Sequence, residues 1–360
     1  MTGSGDGQVA SPVAQPEPAP DCPSVPAVLF SALVLLGSFA ALFHIDIPIL
    51  RFLRSHNLSA LQSLGDLGEK LGNGGTLITI SLLLLGAGFL LKHQAWMRIA
   101  LDSLLAHGMV ALVVNSLKHI IGRPRPRLTH SGGWQWWPSL ESGLDSFPSG
   151  HTSATVAVVT VLARALPRLR WVPFALAAWV GASRIWRGSH FPGDVVGGMA
   201  LGFVVGSVCN GSLREWRQSG SRALIRITPI VLLLTGCFWV LTHRIVDPVM
   251  DTVLVSVGAL LMGGGWLVRL GGGLHATRVA GGGGTVSNVL VLLGLGVVTG
   301  APVVIGLTAL LCVAHWIAVT GVPACESAAG RSWRAEGVYA LGLLAAVVAV
   351  QLLKGLVPLH

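Results

Sequence analysis

An all-α, polytopic transmembrane helical bundle is the fold this sequence predicts, on three observations. Of its 360 residues, 52% are hydrophobic and only 11% are charged, against about 25% charge in soluble domains. Apolar runs of about 20 residues recur from end to end, long enough to cross a hydrocarbon core of roughly 30 Å. The runs are continuous and do not alternate in segments of about ten residues, so a transmembrane β-barrel is excluded. Helices remain, because they satisfy their own backbone groups in lipid.

Residues 1–25 are rich in Pro, Gly, Ala and Ser and hold no Lys or Arg, which predicts a disordered tail. Without a basic n-region the tail is not a signal peptide, and the first apolar run, about 26–44, is expected to be a retained span. Further spans are predicted near 75–92, 99–117, 151–166, 171–187 and 194–213. A second set lies near 224–242, 249–268, 285–300, 302–320 and 336–357. The 285–320 stretch reads either as two spans joined at Gly300-Ala301-Pro302 or as one kinked element.

Leu58, Leu61, Leu64, Leu67 and Leu71 fall near one helical face between the first two spans. A helix lying in the membrane interface and a packed connector fit that spacing equally. Gly198, Gly202 and Gly206 stand four apart, giving one span a smooth face for close helix approach. The glycines at 271–273 and 281–284 follow no strand and are read as a loop, not a nucleotide-binding turn.

The net charge is +9, but no soluble basic stripe of the kind nucleic acid requires is present. Nucleic-acid binding is therefore not expected. The basic residues lie between apolar runs, where they set topology. Lys92 and Arg98, then Arg164, Arg168 and Arg170, then Arg214, Arg217, Arg222 and Arg226, then Arg269 and Arg278, then Arg331 and Arg334 share one side if eleven spans alternate. The other side has Arg51, Arg54, Lys70, Arg244 and Lys354 outside the motif segments. The first group belongs in the cytoplasm, which turns the motifs outward. The five cysteines include no CxxC and no zinc spacing, and their odd count excludes a full disulfide framework.

Three short segments carry the chemistry. Lys118 closes the third span, and Arg125 follows between Pro124 and Pro126, which end the helix and fix the chain. Alone, these cations read as snorkelling topology charges. Pro148-Ser149-Gly150-His151 opens the next helix. A helix N-terminus presents free N–H groups and partial positive charge to an anion, although an ordinary cap has the same composition. In the third segment Ser183-Arg184 precedes His190 and Asp194, where a carboxylate can orient an imidazole.

The order and spacing of these residues resemble the tripartite signature of the type 2 phosphatidic acid phosphatase (PAP2) superfamily. That signature is Lys, six residues, Arg-Pro; then Pro-Ser-Gly-His; then Ser-Arg, five residues, His, three residues, Asp. Every position is filled here, by Lys118, Arg125, Pro126, Pro148, Ser149, Gly150, His151, Ser183, Arg184, His190 and Asp194. The resemblance is to the bacterial membrane-bound lipid phosphatases and covers about residues 26–213, a six-span core. It divides the chain into a tail (1–25), the phosphatase core (26–213), a basic cytoplasmic linker (214–223) and a C-terminal membrane domain (224–360) of about five extra spans.

The resemblance implies site roles as well. His190 is the nucleophile, Asp194 its orienting carboxylate and His151 the general acid. Lys118, Arg125 and Arg184 clamp the phosphate, with Ser149 and the Gly150 N–H as further donors. Neither metal nor other cofactor is implied. Arg123, Arg127 and Arg187 stand outside the signature and are read as headgroup contacts.

The expected partners are a lipid phosphate substrate and the surrounding membrane lipids. Trp134, Trp136 and Trp137 favour an interface, which suits a headgroup arriving sideways from the bilayer. The expected activity is hydrolysis of a polyprenyl diphosphate, phosphatidic acid or phosphatidylglycerol phosphate, in the cell (inner) membrane with the site facing the periplasm. A lipid phosphotransferase would share the first chemical step. A non-catalytic lipid-binding or transport protein is the alternative that the extra spans, with Asp247, Asp251, His275, His315 and Glu336, keep in view.

Overall fold

A computed structural model describes residues 23, 25–55, 62–128, 137–209, 215–243, 247–274, 282–320 and 333–355. Regular structure among them is entirely helical. The helices are α1 (Val25–Ser55), α2 (Gln62–Gly72), α3 (Gly74–Leu90), α4 (Gln94–Ile121), α5 (Gly150–Ala165) and α6 (Trp171–Trp186), followed by α7 (Pro192–Cys209) and α8 (Trp216–Val240). The chain continues through α9 (Pro248–Leu274), α10 (Gly282–Thr299), α11 (Pro302–Thr320) and α12 (Trp333–Gly355). The N-terminal tail, Trp134, Trp136 and His275 lie outside the described residues.

The chain is a multi-pass membrane protein. Six helices (α1, α4, α7, α8, α9 and α12) are long and apolar enough to cross a membrane unaided, and α2 with α3, bent by 55°, form a possible seventh broken span. The sequence count of eleven is larger because it includes shorter helices. One of these, α5, has 16 residues and a length of about 24 Å. It is buried along nearly its whole middle, from Thr152 to Ala163, so neighbouring helices surround it.

Several boundaries move for physical reasons. The first helix runs to Ser55, well past the expected end near 44, because Ile45, Ile49 and Leu50 continue its buried face. α8 begins at Trp216 and absorbs most of the linker. The glycines at 271–273 are the end of α9, and those at 282–284 the start of α10, so the loop reading of those residues is corrected. Glycine costs a helix only about 1 kcal/mol relative to alanine, and the flanking apolar runs carry the helices across it. Between α10 and α11 the chain turns at Gly300, with φ +70°, which resolves 285–320 into two helices.

Close approach between helices is built from glycine. A Cβ on Gly198, Gly202 or Gly206 of α7 would stand 2.8, 2.4 or 2.5 Å from the carbonyl oxygens of Ser149, Ser153 and Ala157 on or beside α5. The smooth face predicted from sequence thus lies directly against the helix that carries His151. Gly202→Ala is expected to force the α5 and α7 backbones apart, at a cost of about 1–3 kcal/mol. Thermal unfolding of the purified protein measures it, and an unchanged midpoint would contradict this packing.

The amphipathic stretch forms α2 from Gln62 onward, Leu58 and Leu61 lying outside the described residues, and its orientation reverses the usual soluble pattern. Gly65, Gly68 and Gly72 are buried, while Leu64 and Leu67 are exposed. The glycines meet Arg187, Ser183 and Val180 of the α6 region. The small face therefore packs and the leucine face is left exposed, so α2 is a packed connector with an apolar outer face. α1 and α8 line both halves of the bundle: Leu42, Ile45 and Ile49 pack with α7 and α8, and Val34 packs with Leu232 and α11 residues.

Candidate active site

Backbone hydrogen bonds draw the three motif segments together. α4 ends at Gly122, which has φ +61° and an N–H donating to the Lys118 carbonyl. A side chain at Gly122 would collide with the Trp137 carbonyl, so glycine is required there. Ser146 N–H donates to the Arg123 carbonyl at 2.9 Å and Arg125 N–H to the Gly143 carbonyl at 2.9 Å, tying the first segment to the second. Ser149 N–H donates to the Asp194 carbonyl at 3.0 Å, tying the second to the third. His190 N–H donates to the Arg184 carbonyl.

His190 lies in the loop immediately before α7, with Asp194 in that helix's first turn. Its Nδ1 stands 2.8 Å from the Ser146 carbonyl oxygen and 3.7 Å from Asp194 Oδ2. A carbonyl only accepts, so Nδ1 carries the proton and the lone pair is on Nε2. Ser146 therefore fixes the tautomer directly, and Asp194 acts on the ring through its charge. Burial lowers the His190 pKa; Asp194 opposes that shift, while Arg125 and Lys118 add to it.

Asp194 is fully buried and held by three donors: Arg123 Nη1 at 2.5 Å, Ser146 Oγ at 2.5 Å and Phe191 N–H at 2.8 Å. Arg123 also reaches Asp46 Oδ2 of α1 at 2.7 Å, and Asp46 Oδ1 accepts the Gly193 N–H at 2.8 Å. The guanidinium lies between the Phe43 and Phe191 rings, 4.5 and 4.4 Å from their centroids, within cation–π range. Burial disfavours the Arg123 charge, but Asp194 and Asp46 more than offset this and raise its pKa. Arg123 is thus a structural cation behind Asp194, not a headgroup contact, and neither Asp46 nor Ser146 was singled out from the sequence.

The three cations expected to clamp phosphate face the same region and are held by carboxylates. Arg125 makes a two-pronged contact with Asp145, Nε to Oδ1 at 2.8 Å and Nη2 to Oδ2 at 2.6 Å, and Lys118 Nζ is 3.5 Å from Oδ2. Burial raises the Asp145 pKa, yet hydrogen bonding from Arg125 and the charges of Lys118 and Arg125 bring it down to about 2. Arg184 is buried, with Nη1 3.2 Å from Glu69 of α2. That contact is an ion pair without hydrogen-bond alignment, and Arg184 Nε is also unpaired among the described residues. Arg187 is held by Asp66 and by Glu69 at 2.7 Å and stays partly exposed.

His151 is in the first turn of α5, and its Nε2 is buried without a partner among the described residues. Ser149 caps α5 without a side-chain cap bond; its Oγ instead lies 3.0 Å from Thr152 Oγ1. Gly150 is beside Lys118, since a Cβ there would stand 3.8 Å from Nζ. Among the described residues, no group of three or more His, Cys, Asp or Glu is placed to hold a metal. The assembly offers one oriented imidazole, a second unpaired imidazole and three cations, a set suited to a phosphoryl group with its spread negative charge.

Known proteins carry the same segments. The PAP2 superfamily model matches residues 99–218, which contain every signature position. Lipid A 1-phosphatase of Rhizobium etli is 35% identical over 163 residues, covering 41% of this chain and 69% of the relative. Decaprenylphosphoryl-5-phosphoribose phosphatase of Mycobacterium tuberculosis is 33% identical over 124 residues, 32% of this chain and 60% of the relative. Phosphatidylglycerophosphatase B of Bacillus subtilis is 29% identical over 153 residues, 38% and 70% of the two chains. No solved structure matches significantly. With the signature gathered at one site and these similarities, the chain belongs to the PAP2 superfamily and is a phosphoric ester hydrolase.

Proposed function

We propose that this protein hydrolyses a lipid phosphate or diphosphate in the cell membrane through a phosphohistidine on His190, at a site opening on the outer face. The observation that carries the reading is the Ser146 carbonyl on His190 Nδ1, which leaves Nε2 to attack beside Lys118, Arg125 and Arg184. The incoming phosphate takes the two-pronged face of Arg125 from Asp145 and the free donors of Arg184. His190 Nε2 forms a bond to phosphorus as the ester P–O bond breaks, and His151 gives its proton to the leaving oxygen. Water then attacks the phosphohistidine with His151 as base, returning His190 neutral.

Lipid as the substrate class is supported by the three relatives, each named for a lipid phosphate or lipid-linked phosphate. The outer face is supported by the basic connections on the opposite side. Trp137 is exposed at the site end, with Trp96, Trp171 and Trp216 at the other, as interfacial belts require. Lys118, Arg125, Arg184 and the Gly150 N–H bind the phosphate; Ser149 contributes its hydroxyl when it turns from Thr152.

The purified full chain should release phosphate from a panel of lipid phosphates in mixed micelles, equally with and without EDTA. Strong EDTA inhibition would overturn the metal-free step. Label transferred to a second lipid in place of free phosphate would make the protein a phosphotransferase.

A further inference from the structure

A cavity of about 170 Å³ adjoins the phosphate site. Lys118, Gly150 and His151 form its near wall, and His190 does not line it. An in-line displacement places the leaving oxygen opposite the attacking nitrogen. The unpaired Nε2 of His151 must reach that same oxygen to protonate it. The group beyond the oxygen therefore enters this cavity.

The cavity sets polar groups among apolar ones: Val110, Ala111, Val114 and Ala154 share its walls with side chains that can hydrogen-bond. Its walls include His107 and Asn115, which share a face of α4 with Lys118. His107 Nδ1 is buried without a partner among the described residues. Opposite it the α2–α3 span is broken at Asn73, with the two helices bent by 55°. Asn73 Oδ1 accepts the Gly75 N–H, and Gly72 and Gly74 line the cavity. Gly74 lies directly against the His107 ring, 3.3 Å from where its Cβ would be. Broken backbone at membrane depth is tolerated where it lines a polar cavity, and polar side chains there mark function.

We propose that this cavity is the leaving-group subsite and takes a hydroxyl-bearing polyol, so that phosphate joined to a glycerol or sugar hydroxyl is preferred over phosphate joined to a diacylglycerol. The inference rests on the lipid phosphatase reading above. The size agrees: 170 Å³ divided by about 30 Å³ per water-sized group leaves room for about six, which suits glycerol. His107, Asn115 and the Gly74 N–H provide donors and acceptors for its hydroxyls, and unpaired polar groups in such a site penalise a leaving group without them.

The test uses two lipids that differ in the leaving group: phosphatidylglycerol phosphate and phosphatidic acid, each in the same micelles. The wild-type full chain should show the higher kcat/KM on phosphatidylglycerol phosphate. His107→Leu should lower the ratio of the two kcat/KM values by about tenfold, and Asn115→Leu, at the exposed rim, should lower it by about threefold. Asn115 is exposed, so its variant carries the test even if the His107 variant misfolds. An unchanged ratio in Asn115→Leu, or a wild-type preference for phosphatidic acid, would overturn the subsite while leaving the phosphatase reading intact. Phosphate release from neither lipid by the wild type would instead remove the glycerolipid phosphatase reading on which the subsite rests.

Discussion

His190→Ala is expected to abolish phosphate release, with kcat falling by at least about 10³-fold, the scale on which loss of a covalent nucleophile registers. The variant should still fold, since the ring makes one side-chain hydrogen bond, to a backbone carbonyl, and Asp194 keeps its three other donors. The wild type, quenched in base during turnover, should carry acid-labile phosphate on protein, and the variant should carry none. Near-normal release from His190→Ala would take the nucleophile role away from this residue. The pH dependence follows from the same ring. Its pKa is lowered from the ordinary 6.5 by burial, so the neutral, attacking form persists below pH 6.5 and is lost only as pH falls through the depressed value. The acid limb of kcat/KM should therefore lie below 6.5. The same sign applies to stability: below 6.5 the unfolded chain binds a proton that the folded ring resists, and folding weakens.

The signature residues were legible because their order and spacing are a joint constraint that topology charges and helix caps do not meet by accident. Helix positions were legible because each apolar run is long. What stayed hidden has physical causes. Asp46 is 77 residues from Arg123, and a lone acid in an apolar run carries no sign of its partner. Ser146 holds His190 through its backbone carbonyl, which every residue has. α2 was misleading in another way. Leucine spacing identifies a helical face but not its direction; in a bilayer the leucines can meet lipid while the glycines pack. That reversal places Glu69 against Arg184 and Arg187, a link that spacing could not reveal. The break after Gly72 was equally unreadable, since a Gly-Asn-Gly-Gly run reads as any loop until His107 is found beside it.

Arg123→Ala is the substitution expected to damage stability most. It would leave Asp46 and Asp194, both fully buried, without the cation that bridges them at 2.7 and 2.5 Å. Removing one partner from a buried ionic group costs about 3–5 kcal/mol, because the remaining charge is left uncompensated. The stacking on Phe43 and Phe191 would go as well. Asp46→Asn should cost less, because the amide oxygen still accepts from one of the two donors, Arg123 or the Gly193 N–H, and Arg123 keeps Asp194. Combining Asp46→Asn with Arg123→Ala should recover part of the loss of Arg123→Ala alone, since one of the two stranded charges disappears. Activity should not return with it: Asp194 would still lack its cation and would be held only by Ser146 Oγ and the Phe191 N–H. Thermal unfolding and phosphate release on the four proteins separate these effects. A double variant no more stable than Arg123→Ala would mean that Asp46 carries no uncompensated charge. Recovery of activity with stability would mean that Arg123 only holds α1 in place and does not position Asp194.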